Sequence, residues 1–486
     1  MTFEPIGILA FGVGVISFFL PPTFIIYAFF MSTLLGAAAA FNLSGANVSI
    51  PPAHVLFIFL FVRLFFPRET QQKILRTMAV GRPAFWLTVT VVTSLVTTYF
   101  MPRLFWGELF VFPVRTQVAG LVPLEPATSN FTQSCYLIAD ATCFVVLSGY
   151  AATRGGVKVL ISAGLAAATL NLVFACVDLF TYFTGTAELL SPIRNASYSM
   201  LVETDMGGFK RIVGSFTEAS AFGGTTIGYF AFTSRLWLIG VYPRFCGILA
   251  LLSLVAILFA TSSTGYVGLL AYLAVAYAEI LLRVMSRPST RQMQFFVLVV
   301  PPLLLIVGLT IALNGSLSSS ARDLFDMFLF EKLASSSGVE RSAWNMVALQ
   351  SFFDTFGLGV GNGSARASSF VIAVLSNLGI FGTIPFAIFF LKILLGRSDP
   401  SYSPLELAGQ LAARSMCLAW ILAACVSDPL VDLGLQFYAF AAIAGATYLT
   451  SDLQFFRKNQ RDPSWESRAI ARGGLSRIVY RLAAKT

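Results

Sequence analysis

The chain has 486 residues, of which 57% are hydrophobic and only 11% are charged, and its mean hydropathy is +0.79. Globular chains carry roughly 25% charged residues, so this composition cannot cover a soluble particle of this size with polar surface. It excludes a cytosolic enzyme, a secreted protein and a disordered chain. A polytopic membrane protein remains.

Apolar runs recur along the chain at about 17–25 residues, the length that crosses a bilayer as an α-helix. Because a backbone in lipid must satisfy its own hydrogen bonds, we expect an all-α bundle. The first two runs form either a hairpin turned by Pro21-Pro22 or one interrupted helix, so the bundle has 12 or 13 transmembrane helices. The predicted spans are 5–20, 23–41, 53–66, 84–101, 134–152, 159–183, 221–238, 245–261, 266–283, 295–314, 368–395, 415–429 and 433–450.

Short basic segments predict which span ends face the cytoplasm. The segment 67–83 is the first, with Arg68, Lys73, Arg76 and Arg82. Alternation from there places three long loops on the periplasmic side. These loops are 102–133, 184–220 and 315–367.

The last segment, 451–486, holds eight basic and three acidic residues. It reads as a basic cytoplasmic tail attracted to anionic membrane lipid. Such tails are commonplace on membrane proteins, so we expect no nucleic acid partner. Residues 1–450 form one predicted transmembrane domain with the three periplasmic loops.

The second long loop carries the charges Arg194 and Lys210 and ends in Arg211-Ile-Val-Gly-Ser-Phe-Thr-Glu218-Ala-Ser220. That run leads directly into a membrane helix, so Arg211 and Glu218 lie at the membrane boundary. Arginine offers a planar fork for phosphate. The alternative is an arginine that snorkels to lipid head groups.

The third long loop contains two predicted helices. Ala321–Lys332 is amphipathic and is expected to lie on the membrane face. The second helix runs from about Val339 to Asp354, and Glu340-Arg341-Ser-Ala-Trp344 opens it.

A glycine run, Gly357-Leu-Gly359-Val-Gly361-Asn-Gly363, follows that helix and precedes Arg366. It resembles a phosphate cradle superficially. Because it follows a helix and not a strand, a dinucleotide fold is rejected. A tight loop that returns to the next span is the favoured interpretation.

The sequence has few of the residues that usually bind metals or cofactors. The chain has one histidine, His54, and six cysteines without CxxC spacing, so we predict no metal site and no cofactor. Charged residues inside the spans are candidates for function or for pairing. They are Asp140, Asp178, Glu279, Lys392, Asp428 and Asp432. A proton relay would need several of them to face one cavity.

Taken together, the motifs between about residues 190 and 450 resemble the bacterial O-antigen polymerase and ligase superfamily, which includes exopolysaccharide polymerases. In chain order they are Arg211-Ile-Val-Gly-Ser-Phe-Thr-Glu-Ala-Ser, the turn Ser262-Ser-Thr-Gly, Arg341-Ser-Ala-Trp, the glycine run and Asn377-Leu-Gly-Ile-Phe-Gly. Each motif alone is weak, and their order and topology carry the resemblance.

The resemblance implies a GT-C-like glycosyltransferase of the bacterial inner membrane that needs no metal. It would take a glycan from an undecaprenyl-diphosphate carrier at the periplasmic face and join it to an acceptor sugar hydroxyl. Arg211, Glu218 and Arg341 fall on family motif positions, and we predict them to be catalytic. From the same two loops we predict substrate-binding residues, which are Arg194, Lys210, Glu340, Trp344 and Arg366.

The predicted roles follow from the reaction. Arginines at a low-dielectric boundary would stabilise the departing diphosphate. With no histidine nearby, a carboxylate must accept the proton of the acceptor hydroxyl. Glu218 is the first choice, with Glu340 and Asp354 behind it.

Departures from the family pattern favour a polymerase over a ligase. Thr264 stands where the family often has arginine, and Ser368-Ser369 stand where ligases carry His-Asn. Two alternatives stay open, a ligase that passes glycan to lipid or protein and a transporter or flippase of lipid-linked oligosaccharide. A transporter predicts charges clustered at mid-bilayer and a symmetric pair of broken helices. Expected partners are the undecaprenyl-diphosphate-linked oligosaccharide, membrane lipid and a chain-length regulator.

Overall fold

The computed structural model describes residues 2–43, 48–114, 120–196, 200–201, 205–206, 209–286, 288–315, 318–319, 336–398 and 402–446. These residues are mostly helical. The predicted amphipathic helix 321–332 and the tail 451–486 lie outside the described residues.

The helices and strands follow in chain order. The helices are α1 (Pro5–Ser17), α2 (Pro22–Ser32), α3 (Pro52–Phe65), α4 (Arg68–Thr77), α5 (Pro83–Leu104), α6 (Thr128–Ala151), α7 (Gly156–Thr184), α8 (Ala219–Ile239), α9 (Pro243–Phe259), α10 (Ser263–Ser286), α11 (Arg291–Leu313), α12 (Ser336–Asp354), α13 (Phe370–Leu395), α14 (Pro404–Ser427) and α15 (Gly434–Ala444). A 3₁₀ helix covers Ala187–Ile193. The strands are β1 (Thr2–Phe3), β2 (Phe41–Leu43), β3 (Val48–Ile50), β4 (Phe110–Val111), β5 (Val122–Pro123), β6 (Asp205–Met206) and β7 (Phe209–Lys210). They pair as β1-β2-β3, β4-β5 and β6-β7, all antiparallel.

The chain is a multi-pass helical membrane protein. Within the described residues, seven helices are long and apolar enough to cross a membrane: α5, α6, α7, α10, α11, α13 and α14. Shorter apolar helices occupy further predicted spans, namely α1, α2, α3, α9 and α15. Helix α8 covers the remaining predicted span, 221–238. Each predicted span therefore contains a helix, but fewer than 12 of the described helices reach the full spanning length of about 20 residues.

The first two runs form a hairpin and not one interrupted helix. The Glu4 amide donates to the Ala40 carbonyl (3.1 Å), and β1 pairs with β2, so the chain returns to where α1 began. At the turn, Arg63 at the end of α3 donates to the carbonyls of Phe18 (2.6 Å) and Leu20. The turn of the hairpin therefore lies beside the C-terminal end of α3, and residues 2–4 lie on the same face as residues 41–43 and 48–50.

The described parts of the three long loops meet on one face of the bundle, here called the outer face. The Ala39 amide donates to Asn195 Oδ1 (2.8 Å), which joins the second loop to the α2–α3 connection. The Arg366 amide donates to the Phe112 carbonyl (2.7 Å), which joins the first and third loops. Tyr136 Oη near the start of α6 donates to the Ser49 carbonyl (3.4 Å), which places the end of the first loop beside the same α2–α3 connection. The periplasmic location of this face is a prediction.

Helix α13 is broken at Gly379, which has a left-handed φ of +62°. The glycine run fills the break with its own backbone. The Ile380 amide donates to the Gly357 carbonyl (2.8 Å), and the Val360 amide donates to the Ser376 carbonyl (2.8 Å). A membrane helix tolerates such a break because the freed groups find partners within the protein.

The tight loop predicted for the glycine run is confirmed, since its amides are already bonded. Residues 359–362 donate in turn to Thr355 Oγ1 (3.0 Å), the Ser376 carbonyl (2.8 Å), the Asn377 carbonyl (3.0 Å) and Thr98 Oγ1 (2.9 Å). A phosphate cradle needs backbone amides that are free to donate, and these four amides already donate within the protein. The glycine run and the motif Asn377-Leu-Gly-Ile-Phe-Gly therefore pack together through backbone hydrogen bonds, and this contact is called the joint below.

Substituting Gly379→Ala tests this joint. A Cβ at Gly379 would overlap the Leu358 carbonyl and would occupy a left-handed conformation. We expect the free energy of unfolding to fall by at least about 2 kcal/mol. Thermal unfolding of the purified protein in detergent measures this.

Gly308→Ala is the matched control, because Gly308 lies in α11 with no neighbour within 4 Å. Alanine is the better helix former by about 0.5–1 kcal/mol, so stability should hold or rise slightly. Equal unfolding temperatures for the two variants would contradict the joint.

Candidate active site

A buried carboxylate, Asp178 on α7, organises the second loop. Asp178 Oδ2 accepts hydrogen bonds from the amides of Val213 (2.8 Å) and Gly214 (3.1 Å). Asp178 Oδ1 lies 2.7 Å from Arg194 Nη2 and 3.9 Å from Lys210 Nζ. Asp178 is only 2% exposed, so the two cations balance a charge that water cannot reach.

Arg194 and Lys210, both predicted to bind substrate, therefore have an internal partner. Their side chains are 9% and 4% exposed. Arg194 also donates to the Gly214 carbonyl, and the Lys210 ammonium lies 5.5 Å from the centre of the Tyr182 ring. The described geometry gives both residues a positioning role in the loop. Substrate contact by either stays a prediction.

Arg211, predicted to be catalytic, follows β7 and faces the turn between α9 and α10. Its Nε donates to Thr261 Oγ1 (3.1 Å) and its Nη2 to the Thr261 carbonyl (3.2 Å). Burial lowers the pKa of the guanidinium, and the charges of Glu218 and Tyr266 act in the opposite direction. Arginine remains charged even so, and its cation lies within electrostatic reach of Glu218.

Glu218, the predicted base, is the N-cap residue of α8. Ser220 Oγ donates to Glu218 Oε1, and the backbone of Glu218 forms a parallel bridge with Leu201. The side chain is partly buried. A carboxylate is favourable there because the helix N-terminus carries partial positive charge.

The third loop brings Arg366 to the same place. Its guanidinium stacks on Trp344 of α12, 3.8 Å from the ring centre. Burial lowers the pKa of Arg366, Glu340 and Glu218 raise it, and Arg341 lowers it. The charges of Glu340, Arg341 and Glu218 therefore lie within electrostatic range of Arg366, and the charge of Glu218 also lies within range of Arg211.

Asn345 positions the segment that follows Arg366. Its Oδ1 accepts hydrogen bonds from the amides of Ser368 (2.7 Å) and Ser369 (3.1 Å). Ser368 and Ser369 thus contribute backbone amides that tie α12 to the start of α13. Asn345 directly follows Trp344, so the same turn of α12 carries the ring that stacks on Arg366.

A cavity of about 300 Å³ opens beside Glu218. Glu218 and Asp428 both line it, and Trp420 and Phe437 supply aromatic surface. The remaining lining is small or polar: Ser220, Ala221, Gly224, Thr225, Thr264, Ala423, Ala424, Ser427, Pro429, Leu433 and Gln436. Thr264, in the first turn of α10, is therefore part of the cavity wall.

Asp428 is the residue that the predicted site omitted. Burial raises the pKa of this carboxyl to about 7; the Leu430 amide lowers it and the charge of Asp432 raises it. The predicted topology could have placed Asp428 near Glu218, because the span that ends at residue 429 and the span that begins at residue 221 have these ends on the same face. Without packing, however, six charged residues in spans were equal candidates.

The side chains of this site have the chemistry to bind an anionic ligand and to transfer a proton. Arginines and carboxylates lie together, next to a cavity with hydroxyl, amide and aromatic groups. Across the described residues, no three His, Cys, Asp or Glu side chains are grouped to hold a metal ion.

No protein-family model, curated protein or solved structure matches this chain. The resemblance to the polymerase and ligase superfamily therefore stays a prediction. The functional argument depends on the chemistry of the outer face.

Asp178→Asn tests the organisation of the second loop. The amide removes the charge that balances Arg194 and Lys210 and leaves two buried cations unpaired, so stability should fall by about 3 kcal/mol. Thermal unfolding measures the loss. Glu188→Gln, an exposed acid on the 3₁₀ helix, is the control and should unfold like the wild type. Wild-type stability of Asp178→Asn would show that the loop does not depend on this carboxylate.

The raised pKa of Asp428 predicts pH-dependent reactivity. An apolar carbodiimide attacks protonated carboxyls, so labelling of Asp428 should fall as the pH rises through about 7. Peptide mass spectrometry locates the label, and Asp428→Asn should lack it. A midpoint in the ordinary aspartate range near pH 4 would contradict the raised pKa.

Proposed function

We propose that this protein is a polysaccharide polymerase that joins undecaprenyl-diphosphate-linked oligosaccharide repeat units at the periplasmic face of a bacterial inner membrane. One observation carries the proposal. Two arginines from different loops, Arg211 and Arg366, lie within electrostatic range of Glu218, which lines a cavity together with Asp428. Metal-independent transfer from a diphosphate donor needs cations and a base in this arrangement.

The arginines serve the leaving group. When the bond between the anomeric carbon and the diphosphate oxygen breaks, the electron pair leaves with the diphosphate. Guanidinium groups bind phosphate oxygens bidentately. Held at a partly buried site, they stabilise the growing negative charge more strongly than they would in water. Arg211, Arg341 and Arg366 fill this role.

The carboxylates serve the acceptor sugar. As the acceptor hydroxyl oxygen bonds to the anomeric carbon, its proton passes to Glu218, which acts as general base. Asp428 faces the same cavity and provides a second proton acceptor above pH 7. Trp420 and Phe437 offer apolar faces to the sugar ring, and the hydroxyl and amide groups of the wall offer hydrogen bonds.

One observation, the break in α13, is a feature that a transporter would also have. Among the described helices, only α13 has an interior residue with a left-handed φ, so the symmetric partner that alternating access requires is missing from that part of the chain. The glycine run also occupies the freed backbone groups at the break. An ion or substrate site would need those groups, which favours the polymerase.

Variants of the outer face test the proposal. Arg211→Ala, Arg341→Ala and Glu218→Gln should each reduce chain elongation by on the order of 10²–10³-fold, the usual cost of losing one charge-stabilising group. The measurement is a gel of the products that purified protein makes from undecaprenyl-diphosphate-linked repeat units.

Arg244→Ala is the control, because Arg244 is an exposed arginine at the start of α9, on the face opposite to the site. It should elongate like the wild type. Wild-type product length in the Arg211→Ala and Arg341→Ala variants would remove both arginines from the mechanism.

A further inference from the structure

A second cavity, here called the seam groove, lies on the flank of the bundle where α3, α4, α5 and α6 meet. Its volume is about 310 Å³, and its wall is apolar apart from two threonines. Both hydroxyls are bonded within their own helices, since Thr88 Oγ1 donates to the Ala84 carbonyl (2.8 Å) and Thr142 Oγ1 to the Ile138 carbonyl (2.7 Å). The seam groove therefore suits an apolar ligand. Its apolar wall includes Phe61, Phe65, Ile74, Val91, Ile138 and Val145.

The seam groove is elongated and opens to the side of the bundle. Its α6 wall extends from Ile138 to Val146, which is about 12 Å along the helix axis. Phe61 and Phe65 stack in the α3 wall, with 5.0 Å between ring centres. Ile138 is 42% exposed, so a ligand can enter from the surrounding lipid. This shape fits an alkyl chain better than a compact ligand.

A small polar cavity, here called the notch, lies at the end of the bundle opposite to the outer face. Its volume is about 20 Å³, which is room for one or two oxygen atoms. Thr77, Arg82 and Ser148 line it. Arg82 is the N-cap residue of α5, so the partial positive charge of the helix N-terminus adds to that of the guanidinium. The notch therefore favours an anionic group.

Ser148 supplies a hydrogen-bond donor that the rest of the described protein does not use. The residue is only 5% exposed, and its hydroxyl has no hydrogen-bond partner among the described residues. A buried hydroxyl without a partner costs free energy. An oxygen atom of a ligand in the notch would accept this hydrogen bond.

The notch and the seam groove follow one line between α5 and α6. On α5, Ala84 lines the notch, and Thr88 and Val91 line the groove. On α6, Ser148 lines the notch and Val145 lines the groove. Residues three and four apart lie on one face of a helix, so the two cavities are consecutive. A polar site at the end of the bundle and an apolar one beneath it match a lipid head group and its chain.

Charges around the notch indicate which head group fits. The segment 67–83 has four basic residues and one acid, and the acid, Glu69, is paired with Lys73 (2.9 Å). Arg154 and Lys158, which follow the end of α6, are exposed. Basic residues clustered beside membrane helices attract anionic lipid.

We propose that the α5–α6 seam binds one anionic phospholipid, with an acyl chain in the seam groove and phosphate oxygens in the notch beside Arg82 and Ser148. The groove accepts the chain by its shape, and the notch accepts the head group by its charge and its unused hydroxyl. This site lies at the end of the bundle opposite to the candidate active site and does not depend on the proposed function.

Native mass spectrometry of the purified full-length protein tests the site. The probes are phosphatidylglycerol and phosphatidylcholine with identical acyl chains, since both contain phosphate but only the first has a net negative charge. The wild type should bind phosphatidylglycerol more tightly by about fivefold or more. Equal affinity for the two lipids, or no saturable binding of either, would overturn the proposal. Tighter binding of undecaprenyl phosphate than of phosphatidylglycerol would overturn a phospholipid as the occupant.

Two variants of the notch test the position of the head group. Arg82→Gln should remove most of the preference for phosphatidylglycerol. Ser148→Ala deletes only a hydroxyl without a partner in the described protein, and it should weaken phosphatidylglycerol binding by roughly tenfold. Arg244→Gln, which changes an exposed arginine at the same end of the bundle, is the control and should bind like the wild type. Wild-type binding in either notch variant would overturn the notch as the phosphate site.

Thr142→Phe tests the seam groove. The ring fills the groove from a partly exposed position, so both lipids should bind more weakly by at least about tenfold because the chain loses apolar contact. Thr310→Phe is the matched control, since Thr310 is an exposed threonine of α11 with the same bond to its own helix (2.8 Å). Wild-type affinity in Thr142→Phe would overturn the groove as the chain site.

Discussion

A charge buried inside a membrane bundle must be compensated by the protein itself, and the outer face depends on how Asp178 meets this requirement. Its carboxylate holds two backbone amides of the second loop and two cations, Arg194 and Lys210. The same loop then delivers Arg211 to the α9–α10 turn and Glu218 to the start of α8. The positions of the proposed catalytic groups thus follow from one ionic contact.

The same constraint explains the other irregular feature of the bundle. The break in α13 exposes backbone groups, and the glycine run satisfies them with its own amides and carbonyls. Because the freed groups find partners within the protein, the break leaves no unsatisfied backbone in lipid.

Hydropathy predicted where the helices lie, because a span of apolar residues has few alternatives in lipid. It could not decide between a hairpin of α1 and α2 and one interrupted helix, because the hairpin depends on contacts of Arg63 and of the Ala40 carbonyl. The sequence motifs identified Arg211 and Glu218 as candidates. The ion pair between Asp178 and Arg194 could not be predicted, because Arg194 lies in an irregular loop that has no sequence periodicity. Asp428 could have been placed by topology but was one of six equal candidates. The hairpin, the Asp178–Arg194 pair and the position of Asp428 all depend on contacts between segments that are distant in the sequence, which only the structure provides.

The location of the donor diphosphate tests the central claim most directly. A cryo-electron microscopy map of the protein with an undecaprenyl-diphosphate-linked sugar would locate it. The account predicts diphosphate density between Arg211 and Arg366, with the first sugar in the cavity between Glu218 and Asp428. Density at the opposite face, beside Arg68 and Arg76 of α4, would contradict the assignment of the outer face as the active site.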